Sequence, residues 1–303
     1  MKNRGVARVS TGPSYEREWP DDAQTPGERT EALRTASTSM IAGAPNESSG
    51  RMTEAFYDEL APYYHLLYPD WDASIARQGR ELAVVLEEFG VSAGSRILDA
   101  ACGIGTQSLG LAKVGYRVTA SDLSPAAITR ARAEAETRGL AIDFSVADLR
   151  KLSRTHSGLF DAVLVCDNAI PHLLSDAEIQ TALTECRRLL APGGVLLISV
   201  RDYATIERRT PDHRPYGTRI VGNVSYTAEQ IWHWEGDQYT LTLRLTEECA
   251  NGAPVVHEFQ SRYYAVEITA LEQLLHIAGF ASVARRDEYF FQPLLVAFNP
   301  RSS

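Results

Sequence analysis

Positive charge is in short supply in this chain. Thirty Lys and Arg stand against 39 Asp and Glu over 303 residues, a formal net charge of −9. Phosphate-rich partners demand concentrated positive charge, so nucleic acid and anionic membrane surfaces are excluded as partners. Long apolar runs are missing too. None approaches the roughly 20 residues that span a bilayer, and the N-terminus lacks the apolar core of a secretory signal. Cysteine is sparse: Cys102, Cys166, Cys186 and Cys249 lie far apart, with no Cys-x-x-Cys pair. That spacing supports neither a disulfide framework nor a metal site. Three of the four fall in an expected strand, helix or turn, which reads as buried free thiols in a reducing cytoplasm. There is no internal repeat.

What the chain does have is 44% hydrophobic residues, enough for one large or two small cored domains. Residues 1–50 are the exception. They are rich in Ser, Thr, Pro, Gly, Glu and Arg without apolar period, and are expected to be a disordered extension. Such a segment is either a dispensable tail or the product of a start codon placed too far upstream. Residues 51–303 are expected to form one domain. It opens on an aromatic-dense stretch, with Tyr57, Tyr63, Tyr64, Tyr68 and Trp71, that suits either a packing helix or a lid over a ligand. A helix is predicted over 74–88, stopped by Gly90.

The centre of the chain is Ile97-Leu-Asp-Ala-Ala-Cys-Gly-Ile-Gly105. It reads as a buried strand end, an acid, a Gly-x-Gly turn and a helix. That construction brings a nucleotide cofactor against bare backbone. A dinucleotide fingerprint has a third glycine where this chain has Ser108. Asp99, four residues before Gly103, would repel a pyrophosphate but suits an ammonium group, which favours S-adenosylmethionine. A dinucleotide site and a plain tight turn stay open at this point. Asp122 ends the next strand, 17 residues past Gly105, near the spacing at which an acid meets a ribose. Asp148-Leu149 ends a third strand, and the apolar run 160–166 leads into Asp167-Asn-Ala-Ile-Pro-His172. Ser175-x-x-Glu178 is a capping box, and Pro192-Gly-Gly194 turns into a fifth strand. Alternation through residue 200 predicts an α/β fold with a doubly wound, Rossmann-like, mainly parallel seven-stranded sheet. Between about 204 and 266 the pattern changes to Thr, Tyr, Val and Trp with turn signals, an antiparallel strand-rich insertion on the substrate side. A helix over 268–278 and a strand over 293–298 close the chain.

Taken together, these motifs resemble the class I S-adenosylmethionine-dependent methyltransferases over about residues 55–303. Asp167-Asn168-Ala-Ile-Pro-His172-Leu173 and Val200-Arg201-Asp202-Tyr203 are similar to turns of the glycine/sarcosine N-methyltransferase branch. The resemblance implies that Asp99, Ala100, Gly103 and Gly105 hold the methionine portion of the cofactor, and Asp122 the ribose, with Leu123 against the adenine. It implies that Asp148 accepts from the adenine amino group while Leu149 flanks the ring, that Tyr57 lies over the sulfonium end, and that Tyr64, where the branch has a tryptophan, belongs to the cofactor site. Asp167 belongs to the same cofactor set. Arg77, with Arg80 as competitor, would pair with the methionine carboxylate. Arg201 would grip a substrate carboxylate, with Asn168, Tyr203 and Tyr216 completing that site. His172 is a candidate general base for O-methylation or a structural hydrogen-bonder. The family pattern is broken at Ala169, where the branch has Ser, and at Asp202, where it has Asn. The expected partner is a small-molecule amine, with the oligomeric state left open, a homo-oligomer included. A tailoring methyltransferase of a larger metabolite, a non-catalytic binder of the cofactor and a nicotinamide-dependent oxidoreductase are the rival readings.

Overall fold

The structure, a computed structural model, describes residues 45–250 and 252–301. Of the extension expected over 1–50, residues 1–44 lie outside the described residues, while Pro45–Gly50 form the first turns of helix α1 (Pro45–Leu60). Helix α2 (Trp71–Glu88) begins at the Asp70 cap, whose side chain accepts from the Ala73 N–H, three residues earlier than the periodicity predicts. Strand β1 (Arg96–Asp99), α3 (Thr106–Lys113), β2 (Arg117–Asp122), α4 (Pro125–Thr137), β3 (Asp143–Val146), β4 (Phe160–Val165), α5 (Asp176–Arg188) and β5 (Leu190–Ser199) then alternate.

β1 to β5 pair in parallel, and the chain closes through β10 (Val283–Arg286) and β11 (Leu294–Phe298), both antiparallel. The strand order β10-β11-β5-β4-β1-β2-β3 makes the expected seven-stranded doubly wound sheet. Its order reverses between β1 and β4, and a ligand crevice forms beyond the carboxyl ends of strands at such a point. Asp99 and Asp167 therefore reach the same crevice from different parts of the sequence.

The second sheet is antiparallel, in the order β6 (Asp212–Val221), β7 (Val224–Glu235), β8 (Gln238–Cys249), β9 (Val255–Tyr264). An aromatic ladder crosses it: Trp232 stacks on Tyr239 at 4.4 Å between ring centres, and Tyr239 on Tyr263 at 5.0 Å. β9 runs against α1, and helix α6 (Ile268–Ile277) leads back to the main sheet. β6 escaped the sequence reading because Pro215 and Gly217 interrupt its pattern; they sit at a register shift on an edge strand, where both are tolerated. The Pro192-Gly-Gly turn is absorbed into β5, which begins at Leu190.

Two contacts fix the walls around the crevice. Asp58 of α1 accepts from the Ala126 N–H at 2.9 Å, which ties α1 to the first turn of α4. α2 and α3 meet through glycines: a Cβ on Gly79 would fall 2.4 Å from the Gly110 carbonyl carbon. Among the described residues no helix is long and apolar enough to cross a membrane.

Candidate active site

A cavity opens at the switch point. Tyr57, Tyr64 and Tyr68 roof it, the 100–103 turn and Asp122 floor it, Leu123, Asp148 and Leu149 bound one end, and Asp167 and His172 the other. The glycine turn builds its floor. Gly103 and Gly105 hold φ of 52° and 95°, conformations that suit residues without a Cβ, and Gly105 is the residue from which α3 springs. The first residues of α3, Thr106 and Gln107, line the cavity with their unsatisfied N–H end, a natural anion receptor.

Asp122 lies where the strand-end reading put it. Its Oδ2 accepts from the Gly103 N–H at 2.8 Å and its Oδ1 from the Ser124 N–H at 2.9 Å. Each carboxylate oxygen keeps a further acceptor position, and the group lines the cavity, so it fits a diol. Burial raises its pKa.

Asp99 corrects the sequence reading. Its carboxylate is fully buried and does not line the cavity; it turns under the loop, where Oδ2 accepts from Ser108 Oγ at 2.6 Å. Among the described residues Oδ1 has no hydrogen-bond partner, and burial pushes the acid up to about 7. Ser108, which stands where a dinucleotide fingerprint has glycine, is thus the brace of Asp99. The acid shapes the turn from below.

Asp148 lines the cavity beside Leu149, but its oxygens are engaged by Arg150, through Nε at 2.9 Å to Oδ1 and Nη2 at 2.8 Å to Oδ2. These contacts hold its pKa down against the effect of burial. Arg150 also pairs with Glu178 at 2.7 Å, and it lines the cavity itself. A carboxylate so occupied has little capacity left for an adenine amino group. Arg77 is likewise not among the lining residues; it faces Glu81 across one helical turn at 3.6 Å. The next residue, Gln78, reaches inward instead, accepting from the cavity-lining Gln107 at 2.8 Å.

The opposite end of the cavity is polar and aromatic. His172 is buried between Tyr57 Oη, 2.9 Å from Nε2, and Ser261 Oγ, 3.3 Å from Nδ1, with the Tyr263 ring 4.1 Å away. Burial and then the charge of Arg201 lower its pKa to about 3, so the imidazole is neutral at physiological pH. Both ring nitrogens are engaged, which is the setting of a positioning histidine. His172→Gln, which keeps polar atoms near both sites, is expected to hold kcat/KM within about fivefold; a general base contributes about 10²–10⁴-fold, so a loss of that size would restore the base reading.

Asn168 and Tyr203 are spent on each other. The Asn168 amide nitrogen donates to Tyr203 Oη at 2.8 Å, its Oδ1 accepts the Arg201 N–H at 3.1 Å, and Tyr203 Oη meets Tyr239 Oη at 2.9 Å. Neither lines the cavity; together they anchor the backbone of Arg201. Tyr216 accepts from Gln230 at 3.0 Å and lies within electrostatic reach of Arg201. Arg201 itself sits 5.4 Å from the Trp232 ring centre and acts electrostatically on both Asp167 and His172. No carboxylate stands within ion-pair distance of its guanidinium among the described residues. Tyr68, Thr106, Gln107 and Arg150 are lining residues that sequence reasoning did not single out. Only Tyr68 gave a signal, as one of the leading aromatics.

A family model described as a methyltransferase domain matches residues 97–194, from β1 to the start of β5. The chain is 34% identical over 134 residues to a glycine/sarcosine N-methyltransferase of Parasynechococcus marenigrum, covering 44% of this chain and 46% of that protein. A second glycine/sarcosine N-methyltransferase, from Halorhodospira halochloris, is 31% identical over 151 residues, 50% of this chain and 55% of that one. A ubiquinone biosynthesis O-methyltransferase of Xanthomonas axonopodis pv. citri is 37% identical over 107 residues, 35% of this chain and 43% of that one. The chain spans about half the length of the curated relatives it matches. In fold it is similar to an amino pentose methyltransferase of calicheamicin biosynthesis from Micromonospora echinaspora, solved with S-adenosylmethionine bound: TM-score 0.65 and 20% identity over 75% of this chain and 92% of that one. A sugar N-methyltransferase of Streptoalloteichus aligns with TM-score 0.64 and 20% identity over 90% of this chain and 100% of that one.

Proposed function

We propose that the protein is an S-adenosylmethionine-dependent N-methyltransferase whose acceptor is an amino acid or related amine carrying a carboxylate. The observation that carries this reading is Arg201: a planar cation outside the cavity lining but within electrostatic reach of the lining residues Asp167 and His172, over the Trp232 ring and with no carboxylate partner among the described residues. An arginine so placed binds a carboxylate through two parallel hydrogen bonds. Similarity to glycine/sarcosine N-methyltransferases supports the same reading.

When bound, S-adenosylmethionine supplies an electrophilic methyl group on a positively charged sulfur. Asp122 would take the ribose hydroxyls, Leu123 and Leu149 would bracket the adenine, and the N-terminal end of α3 would receive the carboxylate of the amino-acid tail. Tyr57, Tyr64 and Tyr68 would cover the reacting centre with aromatic faces that tolerate a cation and exclude water. Transfer needs an amine lone pair in line with the methyl–sulfur bond, so positioning is the main task of the protein.

A second reading keeps the donor and changes the acceptor to an amino sugar or larger metabolite. It is favoured by the extent of the structural matches, which reach 90% of this chain where the glycine/sarcosine relatives match about half of it. One screen separates the two. Release of S-adenosylhomocysteine is measured with amino acids, guanidino compounds and amino sugars as acceptors. Turnover of carboxylate-bearing amines is the expected result; turnover confined to amino sugars or hydroxyl acceptors would reject the first reading.

A further inference from the structure

We propose that Asp167 binds the acceptor's ammonium group and takes its proton before methyl transfer. This rests on the N-methylation reading above and names the group that readies its nucleophile.

The geometry begins in the backbone. Asp167 and Asn168 follow β4 with φ of 55° and 62°, two consecutive residues with side chains in the left-handed region. Such conformations are costly for residues with a Cβ and persist where surrounding structure holds them. Here β5 does the holding: the Asp167 N–H donates to Ser199 Oγ at 2.7 Å and the Asn168 N–H to the Ser199 carbonyl at 3.1 Å. Ser199 Oγ in turn donates to Gln292 at 3.1 Å. The strained turn places Asp167 in the cavity wall, beside Tyr57's partner His172.

The carboxylate is incompletely satisfied there. Tyr64 and Tyr68 point hydroxyls at its Oδ2 from 3.5 and 3.4 Å, long for hydrogen bonds of full strength. No Lys, Arg or His pairs with it among the described residues, and Arg201 reaches it only through the field. Burial raises its pKa, with Arg201 pulling the other way. Asp167 lines the cavity with no counter-ion among the described residues, and Arg201, outside the lining and also without one, acts on it electrostatically; an anchor for an ammonium and one for a carboxylate match a zwitterion. The acceptor's carboxylate goes to Arg201 and its ammonium to Asp167.

The chemistry balances. Asp167 removes one proton from the ammonium, leaving a neutral amine. The nitrogen lone pair then forms the N–C bond as the methyl–sulfur bond breaks, its electron pair staying on sulfur as a neutral thioether. Positive charge moves from sulfur to nitrogen, toward the Asp167 side, and the proton leaves to solvent with the product. With the proton on Asp167 the acid is neutral during transfer, so its contribution is to deliver the free lone pair rather than to stabilise the charge that develops on nitrogen.

Binding and turnover are tested separately. Glycine and glycolate share a carboxylate and differ in ammonium against hydroxyl. Titrated at pH 7 into protein saturated with S-adenosylhomocysteine, the wild type should prefer glycine by about tenfold or more. Asp167→Asn should erase that preference while leaving glycolate and S-adenosylhomocysteine affinity unchanged. In single turnover the wild-type rate should be nearly flat from about pH 7 to 9, while the variant's rate should climb about tenfold per pH unit as free amine forms in solution. Asp167→Glu, which keeps a base, should regain part of the flat profile. A variant profile parallel to the wild type overturns the proposal. So does weakened cofactor affinity with the glycine preference intact, which would assign Asp167 to the cofactor. The carboxylate reading fails by a different result, equal turnover of amines lacking a carboxylate, and the same pH comparison on those amines then decides the role of Asp167.

Discussion

Arg201→Lys should lower kcat/KM for a carboxylate-bearing amine by about 30- to 150-fold, equivalent to about 2–3 kcal/mol of transition-state binding. Lysine keeps the charge but replaces a planar fork with a point donor, so the bidentate grip is lost. The guanidinium's contact with the Trp232 ring, 5.4 Å from its carbon, would also be weakened, while Tyr239 and Arg214 stay against that ring. The loss should appear mainly in KM for the acceptor, because both ground and transition states carry the same carboxylate. Cofactor affinity should stay within about threefold, since Arg201 is not among the residues lining the cofactor end. Amino-sugar acceptors without a carboxylate should be almost indifferent to the change. Steady-state kinetics on both acceptor classes makes the comparison, and an unchanged kcat/KM for the carboxylated amine would remove the main support for that acceptor class.

Gly110→Ala should destabilise the fold, against the ordinary preference for alanine in helices. The new Cβ would lie 2.4 Å from the Ile75 carbonyl oxygen and 2.8 Å from Gly79 Cα, so α2 and α3 would have to part. Overpacking of this kind costs about 1–3 kcal/mol and occasionally more, and the gain in helix propensity offsets about 1 kcal/mol of it. A net loss of about 2 kcal/mol corresponds to a Tm lower by about 4–8 °C for a domain of this size. Because α3 carries Thr106 and Gln107 into the cavity, cofactor affinity should fall in the same variant. Thermal melts with and without S-adenosylmethionine measure both effects. A raised Tm would show that the two helices are less closely packed than the glycine contact indicates.

The sequence carried the sheet because its central strands β1, β4 and β5 hold buried apolar runs and acids mark the strand ends: Asp99 closes β1, Asp122 closes β2 and Asp167 follows β4. Period and punctuation are local properties, so they survive in one dimension. What failed was partnership. Asp99 read as a receptor because an acid before a glycine turn suits an ammonium, but burial and Ser108 decide that it faces inward. Asp148 read as free until Arg150, two residues on, folded back over it. The resemblance assigned Arg77, with Arg80 as competitor, and left the helix register open; the residue that reaches inward is Gln78. Asn168 and Arg201, brought together across β4 and β5, were placed by resemblance alone, since no local pattern joins residues 33 apart. Side-chain engagement is a tertiary property that no local pattern records.

The central claim is transfer of a methyl group from S-adenosylmethionine to the nitrogen of a carboxylate-bearing amine. Mass spectrometry of the product formed from deuteromethyl-labelled S-adenosylmethionine and an amino-acid acceptor tests it most directly. The expected product carries the label on nitrogen, with one S-adenosylhomocysteine released per methyl group transferred. Label on oxygen, or no labelled product with any amine while the cofactor binds, would contradict it.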